Sequence, residues 1–246
     1  MTQILIADDH PLFRLALTQA LRAIAPDAVL IEADSLAAAR AQLDARRDID
    51  LVLLDLHLPD SHGLMGLASL RAEHPAVAVA MISANEDPRV IRRALAFGAA
   101  GYIPKGASLE ELGSALRDVL NCEEYVPAQL RNAIGAARTS SEDERIAARL
   151  ASLTPQQLRV LGLVADGQLN KQIADRLGIQ ERTIKAHLSL IFQKLGVRNR
   201  TQASVMLRSL ELGDPARVLA EEDGMADLQE QSALGRDHRA TSGPPT

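Results

Sequence analysis

Short, nearly continuous apolar runs recur along the first half of the chain, and the segments between them repeat apolar residues every three or four positions. Ile4-Leu5-Ile6-Ala7 leads into Asp8-Asp9, Leu51-Val52-Leu53-Leu54 into Asp55, Val77 to Ile82 into Ser83, and Tyr102-Ile103-Pro104 into Lys105. Ala28 to Ala33 reads as a further strand. A helix is predicted from Pro11, with Phe13, Leu17, Leu21 and Ile24 on one face. Others are predicted from the Ser35 cap to Arg46, up to His74, from Pro88 to Phe97, and from Ser108, which has capping-box spacing to Glu111. Five strand–helix units in residues 1–126 predict an α/β, doubly wound, five-stranded parallel sheet. Strands apolar on both faces fit a sheet covered on both sides.

From Pro127 to about Ser152 the pattern dissolves, and residues 127–151 read as a linker with room for partial helix. Residues 152–212 are all helical in pattern. Thr154-Pro155-Gln156-Gln157 opens one helix, which ends at Gly167. A second runs from Asn170 to Leu177, Gly178 turns the chain, a third runs from Glu181 to Leu195, and a fourth from Thr201 to Leu212. Residues 213–246 are acidic and end in Thr-Ser-Gly-Pro-Pro-Thr, which predicts disorder.

Charge sharpens this division. The net charge of −5 comprises −7 over residues 1–126, +5 over 152–212 and −4 over 213–246, with +1 in the connector. An acidic half joined to a basic half predicts that the basic one faces a polyanion. Cys122 is the only cysteine, which excludes an intrachain disulfide and a thiolate metal cluster. There is no run long enough for a membrane span and no secretory-signal pattern, so the expected location is the cytoplasm. Aromatic residues make up 2% of the chain, too few for platforms that stack single-stranded bases.

Parallel strands bring their carboxyl ends together, where open α/β sheets bind ligands. Asp8, Asp9, Asp55, Ser83 and Lys105 would then share one crevice. A strand-end carboxylate can accept a phosphoryl group. A hard cation such as Mg²⁺ would offset the repulsion between donor and carboxylates, while Lys105 and Ser83 would hold the remaining phosphoryl oxygens.

The motifs Ile6-Ala-Asp8-Asp9-His-Pro-Leu-Phe-Arg, Leu53-Leu-Asp55-Leu-His-Leu-Pro59, Ser83-Ala84 and Gly98-Ala-Ala-Gly-Tyr102-Ile-Pro-Lys105 resemble those of the receiver domain of two-component response regulators. The resemblance implies a flavodoxin-like fold and makes Asp55 the acceptor of a phosphoryl group from a sensor histidine kinase. It implies that Asp8, Asp9, Asp55 and the backbone carbonyl of His57 hold Mg²⁺. It also makes Ser83 and Tyr102 a switch pair, with Tyr102 turning inward as Ser83 moves to the phosphoryl group. His62 replaces an acid that is frequent before Gly63 and is assigned to the loop surface. His57 and Asn85 are expected to govern the access of water to the acyl phosphate.

Two helices joined by a Gly-containing turn in a basic segment suggest a helix-turn-helix. Residues 153–209 resemble the DNA-binding domain of LuxR/NarL-type regulators: Leu153-Thr-Pro, Gly167-Gln-Leu-Asn-Lys171-Gln-Ile-Ala, Leu177-Gly-Ile, Arg182-Thr-Ile-Lys185-Ala-His187-Leu and Leu195-Gly-Val-Arg198-Asn-Arg200-Thr-Gln-Ala. In this reading the helix from Glu181 enters the major groove. Arg182, Thr183, Lys185, Ala186 and His187 face DNA, Asn170 and Lys171 open the preceding helix towards a phosphate, and Arg198 and Arg200 contact the backbone. Ser189 stands where relatives often carry a base, so a shallower salt dependence is expected.

The function expected is a phosphorylation-controlled transcription regulator, not an enzyme, that pairs as a homodimer on double-stranded promoter half-sites. The alternatives are an aspartyl-nucleophile phosphohydrolase, disfavoured because His57 stands where a second acid would act, and a constitutive DNA binder with a vestigial pocket.

Overall fold

The computed structural model describes residues 1–136 and 141–208. The expected acidic tail and the last residues of the fourth C-terminal helix lie outside them. Strands β1 (Gln3–Ala7), β2 (Val29–Ala33), β3 (Leu51–Asp55), β4 (Ala78–Ser83) and β5 (Gly101–Pro104) form one parallel sheet in the order β2-β1-β3-β4-β5. The chain reverses its direction of sheet growth between β1 and β3, which opens a crevice at their carboxyl ends. Register pairs Ala7 with Leu54 and Asp55 with Ile82, so the residues that follow β1 and end β3 sit next to each other.

Alternation along each strand explains the continuous apolar runs. Leu5, Val52, Leu54, Val79 and Met81 point to one face, under α2 (Leu36–Ala45), α3 (Met65–Glu73) and α4 (Pro88–Ala96). Ile4, Ile6, Leu51, Leu53 and Ile82 point to the other, under α1 (Pro11–Ile24) and α5 (Leu109–Leu120). Each fully buried Leu or Ile contributes roughly 1.5–3 kcal/mol.

Helix ends follow local chemistry. Ser35 Oγ accepts from Ala38 N, and Asp60, from the β3–α3 loop, adds carboxylate acceptors for Leu36 N at 2.7 Å and Ala37 N at 2.8 Å. Ser108 and Glu111 close a capping box on α5. Residues 127–151 carry a 3-10 turn (Ala128–Leu130), α6 (Arg131–Ala136) and α7 (Ser141–Ala151). Ile134, Ile146 and Leu150 of this stretch are buried in the core shared with α3 and α4.

The C-terminal helices are α8 (Pro155–Ala165), α9 (Asn170–Leu177), α10 (Glu181–Leu195) and α11 (Arg200–Arg208). Gly178 and Gly196 end α9 and α10 at φ of 64° and 66°, a left-handed conformation in which a side chain would be strained. Leu158, Leu161, Ile173, Ile184, Leu188, Ile191 and Leu195 fill the space between these helices. Helix α8 packs on α3, and the described residues fall within one compact unit, Met1–Leu212. Among the described residues no helix is long and apolar enough to cross a membrane.

Candidate functional site

The crevice at the carboxyl edge of the sheet gathers the side chains expected there. The carboxylates of Asp8 and Asp55 are 2% and 1% exposed, and Lys105 Nζ lies 2.6 Å from Asp8 Oδ2 and 2.8 Å from Asp55 Oδ2. The Lys105 ammonium also sits 4.7 Å from the centroid of the Phe13 ring, a contact that steers it towards the acids. Asp8 is fixed from behind: its Oδ1 accepts from His10 N, and its carbonyl accepts from Arg14 Nη1.

Burial pushes the Asp55 carboxyl above the ordinary range. The Lys105 hydrogen bond and charge oppose that shift, Asp8 adds to it, and the His57 N–H opposes it weakly. Burial also works against the charge on Lys105, but its bonds to Asp55 and Asp8 outweigh burial and raise its pKa. One oxygen of the phosphoacceptor candidate, Asp55 Oδ1, is buried without a hydrogen-bond partner, while Asp9 Oδ1 lies 2.7 Å from His10 Nδ1. Asp8, Asp9, His10 and Asp55 each offer a ligand atom within 4.8 Å of the others. Buried carboxylate oxygens without donors fit a hard divalent cation.

Ser83 is fully buried, and its Oγ accepts from Asn85 N at 3.1 Å. Tyr102, the other member of the expected switch pair, is 0% exposed, and its hydroxyl donates to Asn85 O at 2.6 Å. The inward ring is stabilised by its apolar burial and by a satisfied hydroxyl. Burial raises the Tyr102 phenol to about 12. Asn85 Oδ1 in turn accepts from Asp87 N, so the β4–α4 loop is tied to both Ser83 and Tyr102. His57 is partly buried beside the pocket.

His62 is not simply a surface loop residue. Its Nε2 lies 2.7 Å from Asp166 Oδ1 at the end of α8, so the loop that begins at Asp55 reaches the C-terminal helices. Nearby, Glu73, 5% exposed, pairs with Arg40 at 3.0 Å and with Arg159 of α8 at 3.2 Å.

On the basic half, α9 and α10 form the expected helix pair. Arg182, Lys185 and Ala186 are exposed on α10, and Thr183 and His187 are half-buried. Lys185 Nζ pairs with Glu181 one turn earlier at 2.9 Å, an exposed contact that DNA can displace. Ser189 turns its hydroxyl back to Lys185 O. Lys171 and Arg198 are exposed, and Asn170 is half-buried at the first position of α9. Arg200, expected at the DNA backbone, instead braces the fold, because its Nη2 donates to Val164 O and Gln168 O and closes the end of α8. The turn after α8 already satisfies its last carbonyls, with Gly167 N donating to Val164 O and Gln168 N to Leu163 O, and the guanidinium adds a second donor to Val164 O and ties Gln168 O of that turn to the helix end. His10, Phe13 and Arg14 belong to the pocket although the strand-end pattern does not single them out. Their signal in the sequence is their place in the first turn after Asp9.

A doubly wound sheet with an acid pocket at its switch point, followed by a helix-turn-helix, defines a phosphoacceptor regulator that reads DNA. The chain belongs to the response regulators with a LuxR-type DNA-binding domain. Residues 4–117 match the response regulator receiver domain, and residues 151–207 match the bacterial regulatory proteins of the luxR family. It is 39% identical over 206 residues to the glycerol metabolism activator of Pseudomonas putida, covering 82% of this chain and 93% of that one. It is 32% identical over 215 residues to the transcriptional activator DevR/DosR of Mycobacterium tuberculosis, covering 87% and 98%. With NarL, the nitrate/nitrite response regulator of Escherichia coli, identity is 32% over 206 residues, covering 82% and 93%. The response regulator RcsB in its DNA complex shares the fold, with a TM-score of 0.52 at 21% identity, covering 86% of this chain and 98% of that one.

Proposed function

We propose that Asp55 takes a phosphoryl group from a phosphohistidine on a sensor histidine kinase, and that this controls promoter binding by residues 152–212. The P–N bond of the donor breaks as a P–O bond forms to the Asp55 carboxylate, through a loose transition state that needs alignment and charge neutralisation. The observation that carries the reading is Asp55 Oδ1, buried and without a donor, on a carboxylate whose other oxygen is held by Lys105. Burial raises the basicity of this carboxylate, which favours it as a nucleophile. Asp8, Asp9, Asp55 and the His57 carbonyl would hold Mg²⁺, whose charge would offset that of the incoming phosphoryl oxygens. Lys105 and Ser83 would bind those oxygens. Withdrawal of Ser83 Oγ from Asn85 N would release the β4–α4 loop, to which the Tyr102 hydroxyl is also bonded.

In the basic half, Lys185 and Arg182 would reach base edges or phosphates, with Thr183, Ala186 and His187 beside them in the major groove. Asn170, Lys171 and Arg198 would contact the DNA backbone, and Arg200 would act by holding α8. A cytoplasmic homodimer on two half-sites completes the reading. Residues 1–126 and 152–212 are the two working domains, joined by 127–151. Labelling the full chain with an acyl phosphate and Mg²⁺ tests it. Stoichiometric incorporation, lost in Asp55→Asn and accompanied by tighter promoter binding, is expected. Multiple turnover of small phosphate esters, or promoter binding indifferent to Asp55→Asn, would overturn it.

A further inference from the structure

We propose that His10 supplies a ring-nitrogen ligand to the acidic pocket, so that the pocket holds first-row transition-metal ions more tightly than its carboxylates alone would. The inference rests on the pocket being the divalent-cation site proposed above.

His10 is the N-cap of α1, a position where Ser, Thr, Asn or Asp would bond the first-turn N–H groups, and its side chain makes no capping bond. Helix initiation therefore does not account for an imidazole here. The ring instead faces the pocket. His10 Nδ1 is 2.7 Å from Asp9 Oδ1 and 3.3 Å from Asp8 Oδ1. Cis ligands around a six-coordinate ion with bonds near 2.1 Å stand about 3 Å apart, so these separations are those of neighbouring ligands on one cation.

The carboxylates support the same point. Asp8 Oδ1 accepts from His10 N, and Asp8 Oδ2 lies 2.6 Å from the Lys105 ammonium. Asp55 Oδ2 is also held by Lys105. That leaves the 1%-exposed Asp55 Oδ1, which has no partner, in one cluster with the His10 nitrogen and with Asp9 Oδ1, whose near neighbour is that nitrogen. Carboxylates alone suit Mg²⁺ and Mn²⁺, and a neutral imidazole adds affinity for Co²⁺ and Ni²⁺. The ring is 65% exposed at the pocket rim, so it can adjust without disturbing the core.

The test uses the full chain, titrated calorimetrically with Mg²⁺ and with Co²⁺, in wild type, His10→Gln and Asp55→Asn. The wild-type ratio of Co²⁺ to Mg²⁺ affinity should fall at least about tenfold in His10→Gln, as the loss of a ligand implies. Pulsed electron paramagnetic resonance of the Mn²⁺-loaded wild type should show a histidine ¹⁴N coupling that His10→Gln removes. That spectrum decides the matter on wild-type protein even if the variant folds poorly: no nitrogen coupling overturns the inference. Mg²⁺ binding that Asp55→Asn weakens, with a ratio unchanged by His10→Gln, overturns the inference and leaves the cation site standing. Absence of divalent-cation binding in wild type overturns both.

Discussion

Replacing Lys105 by Ala removes the one ammonium shared by two buried carboxylates. Lys105 Nζ stands 2.6 Å from Asp8 and 2.8 Å from Asp55, and neither carboxylate is more than 2% exposed. Deleting one partner of a buried pair costs about 3–5 kcal/mol, because the remaining charge is left without compensation. Loss of the contact with Phe13 adds about 0.5–1 kcal/mol. Proton uptake by Asp55, whose pKa burial already raises, limits the total. The expected cost is therefore about 3 kcal/mol at pH 7.5 with chelator, a fall in the urea midpoint of about 1–2 M. Asp55→Asn removes one of the two anions, so in that background the Lys105→Ala cost should drop to about half. The sign of the pH effect follows from the raised Asp55 pKa. The folded chain keeps a proton that the unfolded chain has lost, so stability falls as pH rises from the ordinary Asp value through the folded one. Asp55→Asn alone should thus stabilise the protein at neutral pH. A cost below about 1 kcal/mol, or one unchanged by Asp55→Asn, would refute the assignment of Lys105 as counter-charge to both acids.

The chain has 2 tyrosines, and burial raises both phenols, Tyr102 to about 12. Ultraviolet titration should show Tyr102 still largely protonated at pH 10.5 and less tyrosinate in the native protein than in the unfolded chain, and stability should fall as pH climbs from about 10 towards 12. Lys185→Ala should lower the slope of log affinity against log salt by about 1 if Lys185 meets a phosphate. Arg200→Ala should instead lower thermal stability without that change in slope, measured on the same DNA. Glu73→Ala should cost about 3 kcal/mol in urea unfolding, because it strands Arg40, which is 22% exposed. Arg159→Ala, whose side chain is 42% exposed, should cost only about 0.5–1 kcal/mol.

The pocket was legible because its members end strands. Once Ile4–Ala7, Leu51–Leu54, Val77–Ile82 and Tyr102–Pro104 are parallel, their following residues must converge, and Asp8, Asp55 and Lys105 do so within hydrogen-bond reach. The C-terminal helices were legible because caps and left-handed glycines punctuate them: the Thr154–Gln157 box opens α8, and Gly178 and Gly196 close α9 and α10. The orientation of Tyr102 was not legible, because a strand residue's rotamer depends on what receives its hydroxyl, and that acceptor, Asn85 O, belongs to another loop. Nor was the bracing role of Arg200, since the carbonyls it bonds lie 36 and 32 positions away.

The contacts between the sheet unit and the C-terminal helices were the least legible, for a physical reason. Arg159 meets Glu73 across 86 positions and His62 meets Asp166 across 104, and local pattern carries no information at that range. Each residue alone reads as a solvated surface charge. Together they place α8 on α3 through charged pairs rather than through a broad apolar seam alone, and charged pairs weaken with ionic strength. The loop that carries one of these pairs follows Asp55, so a change of charge at this proposed phosphoacceptor lies only seven residues from His62 along the chain. Arg182, Lys185 and Ala186 remain exposed on α10 while α8 is so held. The contact therefore leaves the proposed DNA-reading face uncovered, and what it constrains is the direction in which that face is presented.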